Sequence, residues 1–283
     1  MRRPDPRGDE RERGGTLSAD TTMPVVLTIA GSDSGGGAGI QVDLKTWHAL
    51  GVFGASAITC VTAQNPEGVR GVEAISPSMV VSQIDAVRDA FPVAAAKTGM
   101  LYSAAIIEAV AAAVRERPLP HFVVDPVMVA TSGSRLLRDD AVRTLMKELL
   151  PLATVITPNV PEAEILSGQS IHSVADLKKA GRAIAARFHA ACIAKGGHLQ
   201  TMESEVVDVL VMEEACTVWT ATRVSARETH GTGCTFSAAL TAYLARGLAL
   251  GAAGKQAQDF VAAALKGAVA VGPHWPLAIG SVT

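Results

Sequence analysis

The chain has 283 residues, a net charge of −2 and 48% hydrophobic residues, so it is long and apolar enough for one large α/β domain or two small ones. The near-neutral charge argues against a broad nucleic-acid-binding surface, and no apolar run has the length of a membrane span. The four cysteines lie far apart, without CxxC or zinc-finger spacing, and indicate reduced thiols. We therefore expect a cytoplasmic protein that binds a small molecule and neither nucleic acid nor membrane.

Residues 1–22 differ in composition from the rest of the chain. They mix five arginines with five acidic residues, together with Pro and Gly, and contain no apolar run. This composition predicts a disordered extension and excludes a secretory signal. A basic tail for nucleic acid is the alternative, but the acidic residues cancel the arginines. We expect residues 23–283 to form a single domain.

The first predicted element is a strand over Val25–Ala30, followed by a glycine-rich loop (residues 31–39) and a helix. A dinucleotide-binding fingerprint does not fit, because Gly35 and Gly37 would require a glycine where Ile40 stands, and the lysine of a P-loop is absent. The loop instead predicts close approach of the backbone to a small or flat ligand. Asp43, one turn into the helix, is able to reach back to that loop or to act as an ordinary helix-dipole partner.

The next strands also end in polar residues. Gln64 follows a strand over 55–62, and its amide can pair with the edge of a heteroaromatic ring or simply lie in a turn. A strand over 93–98 leads to Met100, and Asp125 directly follows the strand after that. A carboxylate there suits Mg²⁺ coordination, although a turn former is the alternative. Helical periodicity is predicted over 79–91, 103–116, 173–188 and 255–270.

Two further strand ends carry residues suited to a nucleotide. Asn159 and Glu162 follow a strand and a proline turn, where they either cap the next helix or contact a ligand. Lys195 ends another strand beside two glycines, a position that suits a phosphate or a surface lysine. Residues 206–211 and 216–219 predict a hairpin. Alternating strands and helices predict a mostly parallel sheet covered on both faces, which collects these side chains at one edge.

Residues 229–235, hereafter the anion loop, precede a long helical pattern. Phe236, Leu240 and Leu244 predict one apolar stripe on that helix, and Gly247 predicts its end. Gly231 and Gly233 would let consecutive N–H groups and a helix N-terminus face one concavity that suits an anion. Cys234 would sit at that terminus, where its pKa of about 8.5 is lowered toward the thiolate form.

Three readings of the anion loop remain open at this point: a structural glycine turn, a cysteine nucleophile for acyl transfer, and an anion hole for phosphoryl transfer. Acyl transfer needs a base for Cys234, and His230 lies four residues away across two glycines. Phosphoryl transfer uses more of the chain, because Lys195 would meet nucleotide phosphates while Asp125 and Glu162 would surround a magnesium ion.

Together these motifs resemble the hydroxymethylpyrimidine/phosphomethylpyrimidine kinases, a branch of the ribokinase-like family. The resemblance covers about residues 25–250, with every motif in the same order. The motifs that carry it are Ala30 to Lys45, Lys97 to Met100, Thr157 to Glu162, Lys195 to His198 and His230 to Thr235.

The resemblance implies a three-layer α/β/α ribokinase-like fold that uses Mg²⁺ and ATP to phosphorylate 4-amino-5-hydroxymethyl-2-methylpyrimidine, and then its monophosphate, in thiamin biosynthesis. The wider family commonly has an aspartate base at the last residue of the anion loop, whereas this branch has a cysteine. By position, the catalytic residues would be Gly231, Thr232, Gly233 and Cys234, and the pyrimidine pocket would comprise Gly31, Ala38, Asp43, Gln64, Met100 and Val127. Asn159, Glu162 and Lys195 would bind ATP, and Asp125 and Glu162 would hold the metal.

Two other functions stay open. The same branch includes kinases that accept pyridoxal or pyridoxine, which are also heteroaromatic hydroxymethyl compounds. A regulatory module that kept the pocket but lost catalysis is the alternative of a different class, although Cys234 and Lys195 are both present. The ending over 271–276 matches the family's glycine-rich C-terminal segment only loosely, which leaves the closure over adenine open. We also expect a homodimer.

Overall fold

The computed structural model describes residues 22–128, 137–197, 199, 204–224 and 230–280. Apart from Thr22, the predicted disordered extension therefore lies outside the described residues. The strands are β1 (Val25–Asp33), β2 (Phe53–Asn65), β3 (Gly68–Ala74), β4 (Val93–Thr98), β5 (Phe122–Val124), β6 (Val155–Ile156), β7 (Ala191–Lys195), β8 (Glu205–Met212) and β9 (Ala215–Thr222). The α-helices are α1 (Gly39–Ala49), α2 (Pro77–Ala90), α3 (Ala104–Glu116), α4 (Asp139–Thr144), α5 (Val160–Ser167), α6 (Val174–Phe188), α7 (Thr232–Ala245) and α8 (Leu250–Lys266).

The described strands form one sheet in the order β3-β2-β1-β4-β5-β6-β7-β8-β9. Strands β2, β1, β4, β5, β6 and β7 pair in parallel, while β3 at one edge and β8 and β9 at the other are antiparallel to their neighbours. This arrangement confirms the predicted mostly parallel α/β class. All six parallel strands present their carboxyl ends at the same edge of the sheet, where ligands of such folds bind.

Helices cover both faces of the sheet, and the alternation of side chains along each strand supplies both cores. On β5, Val123 packs with residues of α7 and α8, while the adjacent Val124 packs with residues of α2 to α6. A third cluster joins α1 to α7 around Trp47, whose indole N–H donates to the carbonyl of Ala238 at 2.8 Å. Helix α7 is thus held between the sheet, α1 and α8, which fixes where its N-terminus lies.

Several details differ from the sequence-based expectations, among them the short helix α4, which was not predicted. The prediction missed β3, a half-exposed strand in which glycine, arginine and glutamate interrupt the apolar alternation. The closing helix begins at Leu250 rather than at 255. Helix α7 does not bury a single stripe: nearly every residue from Thr235 to Leu244 is buried, because the helix packs against neighbours on more than one side. Gly247 follows the helix with a φ of +85°, as predicted.

Among the described residues, no helix is long and apolar enough to cross a membrane.

Candidate active site

The N-terminus of α7 follows a glycine and carries no side-chain cap. Gly231 is its N-cap, at a φ of +83°, and has no side chain with which to cap the helix. First-turn N–H groups have no acceptor within their own helix, so they carry a partial positive charge toward whatever lies in front of them. The structure therefore confirms the predicted glycine turn and helix start from His230 onward, while the anion-binding role stays a prediction. Thr229 lies outside the described residues.

Lys195 brings a cation to this helix terminus. A Cβ built on Gly233 would lie 3.4 Å from the lysine Nζ, so the ammonium sits directly beside the anion loop. The same Nζ donates to Asp125 Oδ1 at 3.2 Å and lies 5.9 Å from the centroid of the Phe236 ring. Burial by itself would lower the pKa of Lys195, but Asp125 and Glu162 raise it above its ordinary value. The lysine is therefore a permanent positive charge at this site.

Asp125 is the hub that joins these elements. Its Oδ1 also accepts from Thr157 Oγ1 at 3.1 Å, and its Oδ2 accepts from Ser237 Oγ at 3.0 Å. Ser237 lies one turn into α7 and donates as well to the carbonyl of Cys234. Asp125 is only 3% exposed, so these hydrogen bonds replace most of its contact with water. Sequence reasoning missed Thr157 and Ser237, although the one-turn spacing from Cys234 to Ser237 was a usable signal.

Asn159 and Glu162 form a capping box at the start of α5. Asn159 Oδ1 accepts from the N–H of Glu162 at 3.0 Å, and Glu162 Oε2 accepts from the N–H of Asn159 at 2.9 Å. Burial, together with the nearby Asp125 charge, raises the pKa of Glu162 to about 7. The capping role that the sequence allowed is confirmed, and the raised pKa shows a carboxylate that lacks a full set of stabilising charges.

The pKa of Cys234 is raised rather than lowered, so the sequence-based expectation is wrong. Loss of water around Sγ raises its pKa to about 11, and the Asp125 and Asp43 carboxylates add to the effect. The Lys97 ammonium and the N–H of Gly39 lower the pKa but do not offset the burial. The sequence showed the helix terminus and not the two carboxylates that the fold brings close to it.

The expectation that Asp43 reaches back to the glycine-rich loop is also wrong. Helix α1 packs against β1 and turns this residue toward the sheet, where its side chain is fully buried. Its Oδ1 accepts from Lys97 Nζ at 2.8 Å and its Oδ2 accepts from Thr28 Oγ1 at 2.7 Å. Lys97 was noticed only as part of a motif, because a lysine inside a strand gives no sign of its partner 54 residues away.

The glycine-rich loop uses its amides internally. Asp33 Oδ1 accepts from the N–H of Gly35 at 2.8 Å, and Oδ2 accepts from the N–H groups of Gly37 at 3.1 Å and Ala38 at 2.8 Å. Burial opposes ionisation of this carboxyl, but hydrogen bonds from His230 and the loop lower its pKa below the ordinary value. The loop is therefore not a phosphate cradle, in agreement with the missing nucleotide-binding fingerprints.

Several of the predicted pocket residues lie around this loop. A Cβ on Gly31 would lie 2.8 Å from Cys60 Sγ and 3.9 Å from Met100 Cβ, so the three residues share one wall. The carbonyl of Gln64 accepts from Ser34 Oγ at 2.6 Å, which places β2 against the loop. Val127 lies further along, with its N–H bonded to the Asp125 carbonyl, and no hydrogen bond among the described residues ties it to the loop. Cys60 is the wall residue that sequence reasoning did not single out.

A pocket of about 200 Å³ opens between the glycine-rich loop, the turn after β2, His230 and the C-terminal segment. That segment, within residues 271–276, thus lines the same pocket as Gly35 and Gly37 of the glycine-rich loop. His198, the last residue of one of the motifs, lies outside the described residues. The pocket is lined by Asp33, Gly35, Gly37, Asn65, Pro66, His230, Val271, His274, Trp275 and Pro276.

Two carboxylates are available for a metal ion. Asp125 and Glu162 influence one another electrostatically and both face the region of Lys195. No cluster of three or more His, Cys, Asp or Glu side chains suited to a metal occurs in the part of the chain that the structure describes. One or two carboxylates with substrate phosphates are a usual set for Mg²⁺, so the residues present fit a metal that arrives with a nucleotide.

Comparison with known proteins agrees with this geometry. Residues 33–278 match the family model described as phosphomethylpyrimidine kinase. A hydroxymethylpyrimidine/phosphomethylpyrimidine kinase from Haemophilus influenzae is 46% identical over 258 residues, which cover 88% of this chain and 96% of that one. A solved phosphomethylpyrimidine kinase from Clostridium difficile 630 is 41% identical with a TM-score of 0.75, over 84% of this chain and 98% of that one. A Bacillus subtilis pyridoxal kinase solved as an ADP complex is 38% identical with a TM-score of 0.83, over 91% and 98% of the two chains.

Proposed function

The chain belongs to the phosphomethylpyrimidine kinase family, and from that premise we propose that it transfers the γ-phosphoryl group of ATP to 4-amino-5-hydroxymethyl-2-methylpyrimidine and then to the monophosphate so formed. The fold is ribokinase-like, as in the solved relatives. One observation carries the proposal for this chain: the Lys195 ammonium, the Asp125 carboxylate and the uncapped N-terminus of α7 meet at one point of the sheet edge. Such a set binds and neutralises a transferring phosphoryl group.

We assign the γ-phosphoryl to the first turn of α7. The N–H groups around Gly231, Thr232 and Gly233 would receive its oxygens, and Lys195 would neutralise the charge that develops toward the leaving ADP. Asn159 and Glu162 would contact ATP from the start of α5. Mg²⁺, held by Asp125 and Glu162, would supply further positive charge to the phosphates.

We assign the acceptor ring to the wall beside the glycine-rich loop. Gly31, Ala38 and Met100 would contact the ring faces, with Gln64 at its edge and Val127 completing the pocket, while Asp43 would lie behind this wall in its ion pair with Lys97. The absence of a side chain on Gly31 matters here, because a Cβ would already collide with Cys60. The ring would thus lie against backbone on one side, with its hydroxymethyl group toward the anion loop.

Cys234 is the proposed base of the first transfer. Its thiolate would take the proton from the hydroxymethyl oxygen as that oxygen bonds to the γ-phosphorus and the bond from phosphorus to the β-bridging oxygen breaks. Because the thiol is the stable form in the structure, the reactive fraction depends on positive charge nearby, and Lys97 is the residue that lowers the thiol pKa most.

The first experiment is incubation of purified protein with the hydroxymethylpyrimidine, ATP and MgCl₂, with mass spectrometric detection of both phosphorylated products. Accumulation of monophosphate and then diphosphate supports the proposal. A Cys234→Ser variant should fold normally and lose most of its turnover with the alcohol. Unchanged kinetics in that variant would refute Cys234 as the base.

A second candidate, pyridoxal phosphorylation, is favoured by the fold comparison, since the B. subtilis pyridoxal kinase superposes with the higher TM-score of the two solved relatives. Both acceptors are flat heteroaromatic rings with a hydroxymethyl group, so the two can compete for the same pocket. Competition between them under MgATP gives the ratio of kcat/KM directly.

Absence of ATP consumption with either ring would favour the noncatalytic module, and gel filtration would test the proposed homodimer.

A further inference from the structure

The glycine-rich loop and the anion loop touch through two side chains that are distant in sequence. Besides its three loop amides, the Asp33 carboxylate contacts His230 Nε2, at 3.5 Å from Oδ2 and across 197 residues of chain. The Asp33 side chain is 4% exposed and that of His230 is 25% exposed. One carboxylate therefore organises its own loop and also reaches the first described residue of the other.

The packing around two glycines also shows that the two loops lie close together. A Cβ on Gly37 would lie 2.8 Å from His230 Cδ2, and a Cβ on Gly231 would lie 1.9 Å from the carbonyl oxygen of Gly37. Real Cβ atoms do not approach other atoms at such distances, so glycine is required at Gly231, where the close atom is backbone, whereas a side chain at Gly37 would displace the His230 ring. The two loops are thus in direct contact at their backbones, with the Asp33–His230 contact beside them.

This contact matters because each loop holds a different reactant, an argument that rests on the proposed function. The acceptor ring lies against Gly31 and Ala38, while the γ-phosphoryl group lies at the amides that follow His230. Transfer needs the attacking oxygen about 3–3.5 Å from phosphorus and in line with the leaving group, and a misplacement of about 1 Å can slow a reaction by about 100-fold. The separation of the two loops therefore sets the reacting distance.

We propose that Asp33 and His230 are positioning residues that form a latch between the acceptor loop and the phosphoryl loop. Neither residue touches the reacting atoms. Asp33 shapes the glycine-rich loop through three amides, and its fourth contact fixes that loop against the anion loop. If Asp33 only capped its own loop, His230 would be dispensable. The effect of replacing His230 therefore distinguishes the latch from a local structural role.

The main test is His230→Ala, which removes the contact between the loops and keeps the Asp33 carboxylate that accepts from the three amides. We expect kcat to fall by about 10- to 100-fold, because the reactants still bind but meet in poorer alignment. The KM values for the pyrimidine and for ATP should change by less than about threefold, since each loop keeps its own ligand contacts. His230→Gln, whose amide nitrogen can take the place of Nε2, should recover most of the lost kcat.

Lys45→Met is the matched control. Lys45 Nζ donates to the carbonyl of Gly36 at 2.8 Å from the exposed side of the same glycine-rich loop, and no hydrogen bond joins it to the described part of the anion loop. Its loss should leave kcat within about twofold of the wild type. The double variant Asp33→Asn/His230→Ala should be no slower than the worse single variant, because either substitution alone already breaks the contact between the loops.

Wild-type kcat in His230→Ala, losses that multiply in the double variant, or a loss equally large in Lys45→Met would each overturn the latch. If Asp33→Asn does not fold, the comparison of His230→Ala, His230→Gln and Lys45→Met still decides.

A chain that phosphorylates neither ring would defeat the proposed function and leave the latch testable by amide hydrogen exchange. The N–H groups of Gly35, Gly37 and Ala38 should then exchange faster in His230→Ala than in Lys45→Met. Equal exchange in the two variants would overturn the latch independently of any activity.

Discussion

Lys97 and Asp43 form an ion pair from which solvent is fully excluded, with Nζ 2.8 Å from Oδ1 and both side chains at 0% exposure. The pair joins β4 to α1, and Thr28 on β1 satisfies the second carboxylate oxygen. Burial alone would lower the pKa of Lys97, but the Asp43 carboxylate raises it above the ordinary value. Each charge is therefore tolerated in the interior only because the other is present.

Lys97→Met should lower the free energy of unfolding by about 3–5 kcal/mol, because it leaves the Asp43 carboxyl buried without its counter-ion. Urea unfolding followed by circular dichroism measures the change. The matched control is Lys255→Met, which removes an exposed partner of Asp259 on α8 and should change stability by less than about 1 kcal/mol. Equal effects of the two substitutions would contradict the stabilising role of the buried pair.

Alkylation of Cys234 by iodoacetamide should be slow at neutral pH and should rise about tenfold per pH unit from pH 7 to 10, because only the thiolate reacts and its pKa is about 11. Mass spectrometry of the peptide that contains residue 234 follows the reaction, and Cys234→Ser identifies the background. A rate that levels off below pH 9 would show that the helix terminus and Lys97 outweigh burial.

Cys234→Ser should slow the first phosphorylation more than the second. The alcohol must lose a proton as it attacks, whereas a phosphate monoester has a second pKa near 6 and is already ionised above neutral pH. Single-turnover assays at pH 8, with the alcohol and with its monophosphate as separate substrates, give the two losses. Equal losses in both steps would mean that Cys234 contributes something other than proton removal.

The stability of the metal-free protein should fall as the pH rises from about 4.5 to 7. Burial raises the pKa of Glu162 to about 7 from an ordinary 4.5, so over this window the folded chain holds a proton that the unfolded chain has released. The stabilisation is complete below about pH 4.5 and is lost above 7. Relative to Glu162→Gln, which keeps the capping amide contacts, the wild type should lose on the order of 3 kcal/mol across the window. Urea unfolding of both proteins in EDTA at several pH values measures this difference. If the free energies of unfolding of the two proteins changed in parallel with pH, the raised pKa would be contradicted.

Gly231→Ala should lower both stability and kcat, because its Cβ would lie 1.9 Å from the Gly37 carbonyl oxygen and would force the two loops apart. Gly247→Ala is the control, since Gly247 has a φ of +85° against +83° for Gly231 but open space around its Cβ position. The control therefore isolates backbone strain of about 1 kcal/mol without a collision. Thermal unfolding and steady-state kinetics of both variants make the comparison, and wild-type kcat in Gly231→Ala would contradict the close approach.

The sequence was sufficient for the parts of the fold that depend on local pattern. Strand ends carried Asp125 and Lys195, and the rule that parallel strands share a carboxyl edge brought them together correctly. The run from Val93 to Thr98 was predicted at its true bounds because apolar residues and a terminal glycine delimit it. Strand β3 was not predicted because an edge strand need not alternate apolar and polar residues.

The contacts that the sequence could not supply are those between side chains distant in the chain. Nothing local relates Lys97 to Asp43 or Asp33 to His230, since each pair depends on how helices settle on the sheet. The pKa of Cys234 was misjudged for the same reason: one helix terminus is visible in the sequence, while the burial of Sγ and the carboxylates of Asp43 on α1 and Asp125 after β5 depend on the fold. The proposed roles of the pocket residues remain predictions from the resemblance.

The carboxylate of Asp33 inside the glycine-rich loop has a consequence for selectivity. An internal anion occupies the place that a nucleotide phosphate takes in loops of similar composition, so the loop is preorganised before any acceptor arrives. Its negative charge also repels polyphosphates from that side. In the proposed arrangement, the neutral alcohol of the first transfer would enter without meeting that repulsion, whereas ATP would bind beside Lys195 and the N-terminus of α7, so the donor and the first acceptor would not exchange places.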